Sequence, residues 1–272
     1  MYFKTLGSFT ISGPSDDLHI TSLTQRALLV ALLYESGSPV PTRRLLECMW
    51  DSPPASARAN LRTQIARTRT LLNQVEPDGG QRLETRRGPE ASYQLRINAD
   101  ELDFYRFRYS SMRGRQSLGQ CDYSQAITEL TQALTYWSGS LTEGLPPTKW
   151  CRSAGAGLHA EYLRVKQDLI AAELLGHTRR ALDFDIENLL HEEPSNTDTW
   201  VILAAARFFN QGPIKALDVI RDCRSMFTDE YGIELPEPVS VMQKAVLDQD
   251  EGLVRRCILQ KYESPRLVHS AP

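Results

Sequence analysis

Residues 57–72 read ARANLRTQIARTRTLL. On a helix turning about 100° per residue, Leu61, Ile65, Thr68 and Leu72 fall in one stripe, which predicts the buried side. Arg58, Arg62 and Arg69 lie along one flank of that stripe, and Asn60, Gln64 and Arg67 along the other. Opposite the stripe stand Ala59, Thr63, Ala66 and Thr70, all small. A helix that only faces water carries long charged side chains at its outermost positions. Small residues there, flanked by arginines and amides, let a helix axis approach the floor of a DNA major groove while the long side chains reach phosphates and base edges. The competing reading is an ordinary arginine-rich surface helix, so the surrounding sequence has to discriminate.

Charge is distributed unevenly around this stretch. The chain has 272 residues, enough for one large domain or two ordinary ones, with a formal charge of -3. Residues 1–100 hold 12 basic and 10 acidic residues, and the remainder holds 19 and 24. Between Asp51 and Glu76 there are four arginines and no acid, which on a nearly neutral domain points to a polyanion-facing element. No run approaches the roughly 18 apolar residues of a membrane span, and MYFKTLGSFT at the start reads as a strand rather than a signal peptide. The expected compartment is therefore the cytoplasm, with no membrane partner. Five cysteines without a C-x-x-C pair indicate neither a disulfide framework nor a zinc site, so they are expected to be core thiols, and no cofactor is expected.

The pattern divides the chain into an α+β part and an all-α part. Alternation over residues 1–23, broken by the turn Gly13-Pro14-Ser15-Asp16-Asp17, predicts short strands. An apolar helix opens at Leu23-Thr24-Gln25-Arg26 and is expected to be capped by Gly37. Val40 sits between two prolines in an extended link, Thr42 is expected to cap the short helix RRLLECMW, and a third helix starts near Ala55. QRLETRRGPEASYQLRI then has two β-like runs around a Gly-Pro turn, a hairpin signature. Strands, three helices and a hairpin are the order of a winged helix-turn-helix. From Asp103 onward the texture is helical. Gly176 with Ala181-Leu182 and Gly212 with Ala216-Leu217 recur at close to the tetratricopeptide period, with a generic helix bundle as the alternative. Periodicity fades after about Leu247, where a last helix and a loose tail are expected. The expected division is residues 1–98 for DNA binding, 99–250 for the helical domain and 251–272 for the C-terminal helix and tail.

Two further features converge on DNA. Thr42-Arg43-Arg44 would place a cap hydroxyl, free backbone N–H groups and two guanidiniums at a helix start, a geometry suited to a phosphate. A solvated first turn is the plain alternative. Arg86-Arg87 beside Gly88-Pro89 would project from the hairpin tip toward a minor groove, unless the pair simply faces solvent.

The segments LTQRALLVALLYESGSPVPTRRLLECMW, ARANLRTQIARTRTLL and SYQLRINADELDFYRF, followed by AITELTQALTYWSGSLTEGL, AELLGHTRRALDFDIENLLHEEP and GPIKALDVIRDCRSMFTDEYGIELP, resemble the Streptomyces antibiotic regulatory protein family. That family joins an OmpR-type winged helix to a bacterial transcriptional activation domain. The resemblance implies a cytoplasmic activator that binds direct repeats near the -35 promoter element as side-by-side dimers and recruits RNA polymerase holoenzyme, sigma factor included. Carried over by position, Arg67 and Arg69 match arginines late in the recognition helix. Asn60 and Gln64 match its polar DNA-facing positions, Arg87 the wing arginine, and Tyr93 the aromatic that starts the final strand and reaches a phosphate. The full expected DNA-binding set is Arg43, Arg44, Arg58, Asn60, Arg62, Thr63, Gln64, Arg67, Arg69, Arg87 and Tyr93. RRGPEASY departs from the family's R-G-x-G-Y wing by two extra residues and by Ser92 in place of glycine. With no receiver domain before Met1 and no GxxxxGK[ST] motif, the chain reads as the minimal form of the family.

Catalytic patterns are poorly matched. His191-Glu192-Glu193-Pro194 is not H-E-x-x-H, and Ser153-Ala154-Gly155-Ala156-Gly157 is no G-x-S-x-G elbow and reads as a flexible joint. Trp137, Trp150 and Trp200 read as core aromatics rather than a ligand box. Two alternatives stay open: an interaction adaptor whose acidic helical half is the working part and whose basic domain binds DNA loosely, and a repressor using the same DNA surface.

Overall fold

The computed structural model describes residues 1–14, 17–35, 37–141, 143–177 and 182–262. Ser15 and Asp16 of the expected first turn, Ala181 of the repeat signature and the tail beyond Tyr262 lie outside the described residues. The chain forms two compact units: Met1–Tyr109 with Gln132–Tyr162, and Ser110–Thr131 with the chain from Leu163 onward.

In the first unit, β1 (Tyr2–Lys4), β2 (Thr10–Ser12) and β3 (Asp17–His19) form an antiparallel sheet in that order, with Phe3 facing Ile11. Helix α1 (Leu23–Tyr34) starts after Ser22, whose Oγ accepts the Gln25 N–H at 3.4 Å. Ala27 to Leu33 are all buried, because a helix apolar on every side needs protein around it. The helix stops at Tyr34 with Glu35 as its C-cap, so the expected capping glycine, Gly37, falls two residues further on. Its φ of +74° makes the left-handed turn into β4 (Val40–Pro41). Val40 is thus not a link but a strand residue, paired with Tyr93. Helix α2 (Thr42–Met49) and helix α3 (Ala57–Val75) follow, the latter starting two residues later than expected. A 3-10 turn at Gly79–Arg82 leads into β5 (Leu83–Arg86) and β6 (Ser92–Leu95), giving a second sheet of order β4-β6-β5. Strands, three helices and a winged hairpin are the fold of this part.

Helix α4 (Asp103–Gly119) enters the first unit through Asp103. Its carboxylate accepts from the N–H groups of Thr5 at 2.6 Å, Leu6 at 2.8 Å and Phe104 at 2.7 Å, and from the Thr5 hydroxyl at 2.8 Å. Burial pushes this carboxyl's pKa up, against the pull of those donors. Later chain closes the same unit: the Ser138 N–H donates to Leu6 O at 3.1 Å, the Thr148 hydroxyl to Cys48 O at 3.0 Å, and the Lys149 N–H to Asp51 Oδ1 at 2.7 Å.

Helix α5 (Tyr123–Thr135) and the long helix α6 (Lys149–Leu175) come next. Residues 153–157, expected to be a flexible joint, are helix interior. Ala154 and Leu158 are buried, and packing of that face outweighs the roughly 1 kcal/mol that each glycine costs a helix. In the second unit, α7 (Asp183–Glu192), α8 (Thr197–Gln211), α9 (Pro213–Tyr231), α10 (Glu237–Leu247) and α11 (Glu251–Leu259) form the tetratricopeptide-like array. Helix α8 is its centre, packed on α7, α9, α10 and α11 through a continuous buried run from Val201 to Ala206. Pro194 separates α7 from α8 and takes the Trp200 Nε1–H on its carbonyl at 2.8 Å, while Gly212, at φ +89°, makes the corner before α9.

Cys48, Cys151 and Cys223 are buried thiols, Cys48 and Cys223 pushed up to about 12 by desolvation. Cys257 is half-buried, and Cys121 is exposed at φ +60°, a turn position, so it is not a core thiol. Trp137, Trp150 and Trp200 are half-buried rather than fully enclosed, Trp137 stacking on Tyr162 at 4.5 Å. Among the described residues no helix is long and apolar enough to cross a membrane, and no cluster of His, Cys, Asp and Glu is placed to hold a metal.

Candidate nucleic-acid interface

Helix α3 is built on the stripe that its periodicity implies: Leu61, Ile65, Thr68 and Leu72 are all buried, joined by Ala57 and Val75. That stripe fixes which side faces out. Ala59, Thr63, Ala66 and Thr70 form the exposed crest. The hydroxyls of Thr63 and Thr70 donate back to Ala59 O at 3.2 Å and Ala66 O at 3.3 Å, so neither donor is left for solvent and the crest stays low and weakly polar.

The flanks are not uniform. Arg58, Arg62 and Arg67 are exposed, and none has a hydrogen-bond or ion-pair partner among the described residues. Asn60 is exposed and donates to Ser56 Oγ at 3.3 Å. Gln64 is half-buried, with its Oε1 enclosed and unpartnered among the described residues. Arg69 differs from the other arginines. It is half-buried, its Nε donates to Leu83 O at 2.9 Å, and its Nη2 donates to Thr85 Oγ1 at 2.8 Å. Its guanidinium therefore spans helix and wing.

The wing sorts its cations in the same way. Glu84 pairs with Arg96 and, at 3.3 Å, with Arg86, whose Nε also donates to Gln94 Oε1 at 2.9 Å. Arg87, one residue beyond β5, is exposed with no partner among the described residues. Tyr93, by contrast, is only 7% exposed, held in the centre strand between Val40 and Thr85.

The start of α2 is occupied by the wing itself. Thr42, expected to cap the helix with its hydroxyl, is instead the first helical residue after the N-cap Pro41. Its N–H and its hydroxyl both donate to Ala91 O, at 2.9 and 2.7 Å. The Arg43 N–H donates to Glu90 Oε1 at 3.0 Å. The Arg43 and Arg44 guanidiniums point outward, loosely paired with Glu47 at 4.0 and 3.8 Å. Glu90 and Ala91 belong to the longer tip RRGPEASY, so the added length is spent attaching the hairpin to α2. Residue-by-residue reading missed this contact, for which the only signal was an acid in an otherwise basic wing tip.

These elements put Arg58, Asn60, Arg62, Thr63 and Arg67 on the exposed side of one helix. Arg87 stands on the neighbouring wing, and Arg43 and Arg44 at the start of the preceding helix. Exposed cations around a crest of small residues, those of α3 and the wing tip without carboxylate partners and Arg43 and Arg44 only loosely paired with Glu47, can bind a phosphate backbone and admit a base edge.

A family profile described as Bacterial transcriptional activator domain matches residues 102–247, and one described as Transcriptional regulatory protein, C terminal matches residues 17–90. Over 269 residues the chain is 26% identical to Regulatory protein AfsR of Streptomyces griseus, an alignment that covers 91% of this chain and 25% of AfsR. It is 22% identical to Regulatory protein DnrI of Streptomyces peucetius, covering 85% of this chain and 86% of DnrI. Among solved structures, Mycobacterium tuberculosis EmbR in complex with a low affinity phosphopeptide matches with a TM-score of 0.87 at 22% identity, over 96% of this chain and 68% of that one. At that identity the likeness speaks for the fold. The chain spans a quarter of AfsR but most of DnrI.

Proposed function

Because the chain belongs to the bacterial transcriptional activator domain family, with the domain order of the Streptomyces antibiotic regulatory proteins, we propose that it is a sequence-specific DNA-binding activator of secondary-metabolite biosynthesis genes. The observation that carries the reading is the outer face of α3: three unpartnered arginines flanking a crest whose threonine hydroxyls are already satisfied. Arg67, with Asn60, Thr63 and Gln64 beside it, reads base edges. Arg58, Arg62, Arg43 and Arg44 hold phosphates, and Arg87 enters the neighbouring minor groove. Tyr93 and Arg69 support this surface from within the fold. The duplex carries direct repeats near the -35 element, two copies of the chain sit side by side on it, and the helical domain contacts RNA polymerase holoenzyme, sigma factor included. The work is done in the cytoplasm, at the nucleoid. These last assignments rest on family membership.

The test is binding of the full chain to promoter fragments with the repeat intact or scrambled, measured across a salt series. Binding to both falls with salt, and the preference for the intact repeat persists. Equal affinity for both fragments at every salt concentration would overturn the proposal and favour an adaptor that binds DNA loosely.

A further inference from the structure

Arg69 occupies the same flank of α3 as Arg58 and Arg62, yet its side chain is committed elsewhere. In the sheet of order β4-β6-β5, β5 is an edge strand. The Arg96 N–H bonds Arg82 O at 2.9 Å, so the next carbonyl along β5, that of Leu83, points off the sheet edge. Arg69 Nε meets it at 2.9 Å, and Nη2 reaches the Thr85 hydroxyl, two residues nearer the wing tip, at 2.8 Å. A planar guanidinium spans two acceptors at that spacing, whereas a lysine ammonium offers a single point of attachment.

One turn further along α3, the contact tightens. Asn73 Oδ1 accepts the Gly80 N–H at 2.7 Å. A Cβ on Gly80 would lie 2.7 Å from Arg69 O, and one on Gly79 would lie 2.4 Å from Leu72 O, distances that real side chains do not tolerate. The base of the hairpin is thus pressed against the helix end with no room for a side chain, and Arg69 extends the attachment along β5 to within two residues of Arg87.

Resting on the proposed DNA-binding reading, we infer that Arg69, through Leu83 and Thr85, is a positioning residue: it sets the offset between recognition helix and wing so that α3 and Arg87 engage one duplex together. Arg69 then contributes to affinity without touching DNA, and its contribution passes through the wing.

The experiment measures affinity of the full chain for the intact-repeat fragment, with salt dependence, for wild type, R69A, R69K, T85V, R87A and R69A/R87A. R69A should weaken binding about tenfold, the scale of one lost charge-assisted contact. R69K should follow R69A, because the fork is lost although the charge is kept. T85V, which removes only the hydroxyl acceptor, should weaken binding in the same direction. In the R87A background R69A should change neither affinity nor salt slope, since the wing contact is already gone. Additive losses, with a further drop of about 0.9 in salt slope, would mean that Arg69 grips a phosphate itself and would overturn the inference. So would a silent T85V or a fully active R69K. In the free protein, amide exchange over residues 83–95 should quicken in R69A and T85V; unchanged exchange in both would likewise count against the clamp. This readout needs no DNA, so a wild type that binds no duplex overturns the functional proposal on separate grounds. Should R69A fail to fold, T85V and R69K carry the same comparison.

Discussion

In the first unit Arg58, Arg62 and Arg67 stand on α3 with no carboxylate partner among the described residues, whereas in the second unit Arg113, Arg115, Arg207 and Arg221 lie against acids. There Arg115 Nε sits 2.7 Å from Oδ2 of the fully buried Asp168, as an ion pair rather than a hydrogen bond, with the Tyr262 hydroxyl donating to Oδ1 at 2.6 Å. Arg113 pairs with Glu129 at 2.8 Å, Arg207 with Asp183 and Glu187 at 3.1 and 3.0 Å, and Arg221 with Asp218 at 2.8 Å. The same residue type serves two ends. Where acids are available, arginine pairs with them between helices or, as Arg221 does, within one, at a gain that is modest for exposed pairs. Where the sequence excludes acids, as between Asp51 and Glu76, its charge stays available to a polyanion.

The largest effect expected concerns where the first region ends. A fragment of residues 1–100 looks sufficient for DNA binding in sequence, but it lacks Asp103, Phe104, Phe107 and Thr148. Without Asp103 the buried N–H groups of Thr5 and Leu6 lose their acceptor, at about 1–3 kcal/mol each. The burial of Phe104 and Phe107 is lost as well, at about 1.5–3 kcal/mol each. The sum rivals the whole stability of a small domain. Such a fragment should show no cooperative thermal transition, while the full chain does; a fragment melting like the full chain would redraw the unit.

Two substitutions separate the two uses of arginine. Arg67→Ala should cost about 1–3 kcal/mol of DNA affinity and relax preference at one base position, with the melting temperature unchanged. Arg115→Ala should leave DNA affinity alone and lower stability by about 1–2 kcal/mol. That estimate sits below the range for fully buried pairs because Arg115 is 43% exposed and Lys261 and Tyr262 still face Asp168. Operator-variant titrations and denaturant melts on both proteins check the pair. If each variant changed both affinity and stability, the division between free and paired arginines would have no functional content.

How much of this was legible before the structure depends on the range of the interactions involved. The α3 stripe and crest follow from a local period, and every expected stripe residue is buried. In sequence Val40 looks like an extended link because its strand partner, Tyr93, lies far along the chain and only the folded sheet brings the two together. Arg69 could not be told from Arg62, seven residues earlier on the same flank, since the difference between them is the carbonyl of Leu83 and the hydroxyl of Thr85 opposite one and not the other. Residues 153–157 differ in the other direction: their glycine content suggests a joint, and tertiary packing around Ala154 and Leu158 makes a helix. Thr42 shows how close two readings can lie, since its hydroxyl is used at the start of α2, but on Ala91 O instead of its own helix.

The smallest change expected concerns Glu90, which together with Glu47 puts acids beside Arg43 and Arg44 on the proposed DNA-facing surface. Glu90 holds the Arg43 N–H at 3.0 Å and so occupies the start of α2, where partial positive charge from the free N–H groups favours an anion. A DNA phosphate approaching that position meets a carboxylate already there. Glu90→Ala should therefore tighten DNA binding about two- to fivefold at low salt, the equivalent of the roughly 0.3–1 kcal/mol that a charge contributes at a helix end. The gain should shrink as salt rises and screens the repulsion. Affinities of the two proteins at two ionic strengths check this. A weaker-binding variant would show that Glu90 serves mainly to hold the wing tip in shape, in which case its attachment to α2 belongs with the paired charges of the second unit rather than with the free ones of α3.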